Sequence, residues 1–132
     1  MTYLIDTCFE TPEEVVLNFV KSSAQFCKRC PIGPKGSTDL CLSEALKLIQ
    51  HYTYFKFHPY SDHRVALENI KNIKEIDFIE LINNKETKVH TKKNQSIISA
   101  CEFTLKRKNK KWKIVKVLIK QGENNYRSVF VN

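Results

Sequence analysis

Two hydrophobic periods follow one another along this chain. From Val15 the apolar positions recur at three- and four-residue spacing, and from Ile76 they alternate with polar positions every second residue. The first period predicts helices and the second predicts strands. Thr11-Pro12-Glu13-Glu14 opens the first helix. Thr11 can cap it, Pro12 suits the first position because no N–H is needed there, and Glu14 completes a capping box. Val15, Val16, Phe19, Val20, Ser23 and Phe26 then form one stripe, which should end near Cys27 to Cys30, before Pro31.

Residues 31–38, PIGPKGST, hold two Pro and two Gly and read as a loop. Thr38 or Asp39 can cap a second helix carrying Leu42, Ala45, Leu46, Ile49 and Tyr52. The aromatic run around Pro59 predicts a short strand from Tyr54 to His58, and Ser61 or Asp62 can cap a third helix with Val65, Ala66, Leu67 and Ile70. Strands follow. Ile76, Phe78, Glu80 and Ile82 share one face of the first, opposite Asp77, Ile79 and Leu81, and Asn83-Asn84 turns into a partner over Lys85 to Thr91. In Ser96 to Lys106, Ile97, Ser99, Cys101, Phe103 and Leu105 oppose Ile98, Ala100, Glu102 and Thr104. After a turn at Lys108-Asn109-Lys110, strict alternation puts Trp112, Ile114, Lys116 and Leu118 against Lys113, Val115, Val117 and Ile119. Gly122 to Asn125 breaks that strand, and residues 122–132 form a last strand or tail.

Helices followed by an antiparallel meander predict an α+β fold: N-terminal helices packed on a curved, mostly antiparallel, cone-like sheet, with a cavity between the layers. One domain over residues 1–132 suits the length and the 42% hydrophobic composition. The apolar stretches fall short of the roughly 18 residues of a spanning helix, and the start lacks a basic-then-apolar leader. The expectation is a cytoplasmic protein with no membrane span. Five cysteines, an odd number in a chain able to stand without staples, are expected as free thiols.

The opening TPEEVVLNFVKSSAQF, the helix SEALKLIQHY, the short helix after Pro59 and the closing pair ISACEFTLKRKNKKWKIVKVLI resemble the nuclear transport factor 2-like superfamily, over about residues 10–120. The resemblance implies the cone. The 31–38 insert with its neighbouring cysteines departs from the family pattern. Similar cones serve as dehydratases, isomerases, cyclases, transport adaptors, secretion-system subunits and toxin-neutralising immunity proteins, so membership leaves the activity open. Its enzymes generally place an Asp/His or Asp/Tyr set inside the cone, and no such motif transfers residue by residue.

Asp77 and Glu102 could supply carboxylates, and His51 or Tyr54 a proton relay, for acid–base chemistry. The competing reading has Glu102 on a solvated face, paired across to Lys113 or Lys116. Cys27, Cys30 and Cys41 offer thiolates of the type that bind zinc, but a second ligand pair is missing; no cofactor is expected. Tyr54, Tyr60, His63, Arg64 and Trp112 are candidate binding residues, Trp112 having core packing as its alternative. Lys108, Lys110 and Lys111 join them at a basic turn. The net charge of +8 permits an acidic protein surface or nucleic acid as partner. Nucleic acid is not favoured, because the basic run carries only Trp112 as an aromatic neighbour. The chain therefore reads as a non-catalytic protein-binding domain, with an immunity or antitoxin-like occlusion of a toxin as its sharpest form. The alternatives are a dehydratase, isomerase or cyclase, and an assembly subunit that dimerises through its sheet.

Overall fold

The computed structural model describes residues 11–30, 39–54, 64–92, 100–120 and 126–128. Within them the chain is α+β. Three helices, α1 (Pro12–Arg29), α2 (Asp39–Tyr52) and α3 (Arg64–Ile70), precede five strands: β1 (Ile76–Asn83), β2 (Glu86–Thr91), β3 (Cys101–Lys108), β4 (Lys111–Lys120) and β5 (Tyr126–Ser128). The strands form one antiparallel sheet in sequence order, and the sheet is open, with β1 and β5 as its edges.

Thr11 caps α1, its Oγ1 accepting from the Glu14 N–H at 3.3 Å. Glu13 and Glu14 in the first turn and Lys28 and Arg29 in the last complement the helix dipole. The stripe Val15, Val16, Phe19, Val20, Ser23 and Phe26 is buried throughout. Ser23 sits in that apolar face without penalty because its hydroxyl donates to the Phe19 carbonyl at 2.7 Å. Tyr52, at the end of α2, lies against Phe19 with ring centroids 5.4 Å apart, and its hydroxyl is 3.1 Å from that of Ser22. Leaving α2, Thr53 forms a parallel bridge with Ile114, and the Tyr54 N–H donates to the Ile114 carbonyl at 3.0 Å. The helix layer is thereby stitched to β4. The predicted strand from Tyr54 to His58 falls, beyond Tyr54, outside the described residues.

On the sheet, Thr87, Val89 and Thr91 of β2, Cys101, Phe103 and Leu105 of β3, and Trp112, Ile114, Val117 and Ile119 of β4 are buried. They form the face under the helices. Strict alternation fails in three places, each for the same reason, the third being Ile82, an extra residue of β1 between Leu81, paired with Thr87, and Asn83, paired with Glu86. Leu105 pairs with Ile114 and Thr104 with Lys116, so Val115 is an extra residue bulged out of β4. Beyond it the phase reverses, and Val117 and Ile119, not Lys116 and Leu118, face the core with Trp112 and Ile114. In β1, Ile76 pairs with Thr91 and Phe78 with His90, which makes Asp77 the extra residue. Ile76 therefore packs on the core side with Ile79, while Phe78 turns to the opposite face.

The cysteines also differ from expectation. Cys30 and Cys41 form a disulfide with Cα atoms 5.8 Å apart, within the usual bridging range, joining the end of α1 to the start of α2. The sequence spacing said nothing of this, because the approach of the two helix ends is a tertiary fact. Among the described residues, Cys27 and Cys101 lie outside that disulfide, and both are buried. No described helix is long and apolar enough to cross a membrane.

Candidate functional site

The chemistry gathers on the face of the sheet that carries no helix among the described residues. Antiparallel registry aligns Phe78, His90, Glu102 and Leu118 in one row across β1 to β4, and Glu80, Lys88, Thr104 and Lys116 in the next. Phe78 stacks on the His90 imidazole, with centroids 4.1 Å apart and planes 13° from parallel. His90 Nε2 lies 3.1 Å from Glu80 Oε1 and 3.8 Å from Glu102 Oε1. Lys88 Nζ is 3.9 Å from the same Glu102 oxygen.

Beside this row is a hollow of about 220 Å³, lined among others by Asp77, Phe78, His90, Glu102, Lys120 and Tyr126. Its origin is local. Ala100 precedes β3 and pairs with Lys120, whose N–H donates to the Ala100 carbonyl at 2.9 Å. A methyl group there leaves a floor, while Phe78 on β1 and Tyr126 on β5 rise on either side. Thr91, at the end of β2, also borders the hollow, and its Oγ1 accepts from the Cys101 N–H at 2.9 Å.

Of the residues proposed for acid–base chemistry, Asp77 and Glu102 line this hollow, and His51 does not. Asp77 is exposed at the β1 bulge. Glu102 is 16% exposed, and its ion contacts go to His90 and Lys88 across β2 rather than to Lys113 or Lys116, because registry sets Leu118 opposite it on β4. His51 lies on α2, edge-on to the Tyr52 ring at 4.9 Å. The imidazole that does meet the carboxylates is His90. Its signal in the sequence was its place on the same face as Lys88, opposite Val89, and it was missed because pairing partners are not visible in one strand.

The binding candidates divide. Trp112 is buried in the core, and Arg64 is buried at the start of α3. Tyr54 is exposed, with Lys113 Nζ 5.1 Å and Lys108 Nζ 6.0 Å from its ring centroid. Partial burial pushes the Tyr54 hydroxyl pKa up and, with the neighbouring Lys111 charge, pulls that of Lys113 down. Lys108, Lys110 and Lys111 stand exposed at the β3–β4 turn. Tyr60 and His63 lie outside the described residues.

For metal chemistry the thiols are poorly set. Cys30 and Cys41 are consumed in the disulfide, and Cys27 is pushed up to about 12 by burial and by the nearby Glu68 carboxylate. Among the described residues no group of three or more His, Cys, Asp or Glu is placed to hold a metal ion. No family model, no curated protein and no solved structure matches the chain, so its resemblance to the nuclear transport factor 2-like superfamily stands on its residue patterns alone.

Proposed function

We propose that this chain is a non-catalytic protein-binding domain that presents the helix-free face of its sheet and the open β1 edge to a protein partner. The observation that carries the reading is β1 itself. It is an eight-residue edge strand without Lys or Pro, the residues that usually blunt such an edge, and it exposes Phe78, Leu81 and Ile82. Exposed large apolar side chains beside backbone groups that no described residue pairs mark an interaction surface. Sheet-face dimerisation through the Phe103 or Trp112 side is less favoured, since both side chains are buried in the core. Catalysis is the weaker reading, because Asp77, Phe78 and Tyr126 leave the hollow facing water.

The test is capture of partners from native lysate by tagged wild-type protein and by Leu81→Lys, a position 79% exposed, whose change leaves the core intact. Capture runs with and without about 0.5 M salt, which screens surface charge beyond a few ångströms. The expected outcome is one stoichiometric protein that survives salt and is lost from Leu81→Lys. A toxin as that protein establishes the narrower role of an immunity-type neutraliser. Nucleic acid lost in salt, with no protein, sinks the protein-binding reading in favour of the electrostatic one.

A further inference from the structure

We infer that the hollow between Phe78 and Tyr126 is a receptor for an arginine side chain, supplied by the partner protein. Its walls and its charge both point to a planar cation. Tyr126 offers an aromatic ring on which a guanidinium stacks favourably, Phe78, one face of which is taken by His90, adds an apolar wall, and Asp77 and Glu102 offer carboxylates at the same hollow. Those carboxylates have bonding capacity left. Among the described residues Glu102 makes only the two ion contacts at 3.8 and 3.9 Å, both longer than a hydrogen bond, although its side chain is 16% exposed. Asp77 has no ion-pair partner among them. A partly buried carboxylate such as that of Glu102 gains from a donor brought to it.

Size and surroundings narrow the ligand. About 220 Å³ is below the range of pockets that enclose a drug-sized molecule, and it suits one long side chain. The aromatic wall favours arginine over lysine, because an ammonium lacks the planar face that stacks, whereas the Lys120 charge at the hollow bears on either cation alike. The hollow also begins at β1, where Asp77 and Phe78 belong to the open edge. A strand laid on that edge projects alternate side chains onto the helix-free face, within reach of it.

The source of the arginine rests on the protein-binding reading, whereas the chemistry of the hollow does not, and the experiment separates them. Nα-acetyl-arginine methylamide is titrated into the 15N-labelled full chain at fixed ionic strength, with the citrulline analogue as its uncharged counterpart. The arginine probe should give saturable amide shifts at Phe78, Ala100 and Lys120, with Kd on the order of millimolar as suits so small a ligand. Glu102→Gln should weaken it about tenfold. Asp77→Asn, at an exposed position, carries the same test should Glu102→Gln lose its dispersed spectrum. No saturation, or equal shifts with citrulline, overturns the assignment. For the source, Glu102→Gln should also lose the partner captured by wild-type protein. Full capture by a variant that no longer binds the probe refutes the partner's arginine as the occupant, while leaving protein binding intact.

Discussion

Asn109 and Lys110 both hold positive φ, 54° and 66°, at the centre of the two-residue turn between β3 and β4. A primed turn needs that handedness, because it matches the twist of the strands it joins. Asn tolerates it; a lysine pays a steric cost of about 1–2 kcal/mol in the left-handed region. Lys110→Gly should therefore stabilise the protein by about 1 kcal/mol after the extra unfolded-state freedom of glycine is subtracted, seen as a Tm higher by a few degrees. An unchanged or lower Tm would show that the turn is not strained there. The two buried thiols, Cys27 and Cys101, make a second prediction. Burial raises Cys101 to about 11, and burial with Glu68 raises Cys27 to about 12, from an ordinary 9.0. Each folded thiol holds its proton more tightly than the unfolded one. The stability this contributes is complete below pH 9.0 and is lost as pH rises towards those values. Urea unfolding at about pH 8 and about pH 10 should show wild-type protein weakening more than a Cys27→Ala/Cys101→Ala variant across that interval. Equal losses would place the alkaline sensitivity elsewhere.

At the scale of elements, the helices were legible because their signals are local. The Thr11 cap, Pro12 and the Val15–Phe26 stripe lie within one segment, and α1 runs Pro12–Arg29 as they predict. The strands were legible as strands but not fully as faces. A bulge is defined by the partner strand, so Val115 and Asp77 carry no mark of it in their own segments. The consequence reaches the candidate site. Without the Asp77 bulge, Phe78 would share a face with Ile76, and the Phe78–His90 stack could not form. His90, Glu80 and Glu102 come from three strands, and only registry brings them together. The disulfide belongs to this scale too, since it links two helix ends 11 residues apart. By the loop-entropy argument, closing a loop of this length stabilises the fold by about 3 kcal/mol. Replacing Cys30 and Cys41 together by Ser should cost roughly that amount in a denaturant titration, with the helical signal retained under native conditions. A cost near zero would mean that the packing of α1 against α2 already fixes the two ends.

Over the whole molecule, the +8 charge is distributed unevenly. Lys106, Arg107, Lys108, Lys110 and Lys111 crowd the β3–β4 turn, while β1 carries only Asp77 and Glu80. The basic turn and the β1 edge thus differ in sign. The opposite edge, β5, is three residues long and offers little template for pairing, which leaves β1 as the long open edge of the described sheet. An approaching protein meets a basic turn at one corner and an apolar, locally acidic edge at another, so orientation is selected before close contact begins. The Cys30–Cys41 bridge adds a property of covalent topology. It makes the chain a closed ring between those residues, with two tails. A protease that cuts once inside the ring opens it without releasing a piece: the 15.5 kDa body stays one molecule until a reductant arrives. Cleavage and separation, a single event in a linear chain, become two events here, and the second is governed by redox conditions rather than by the protease.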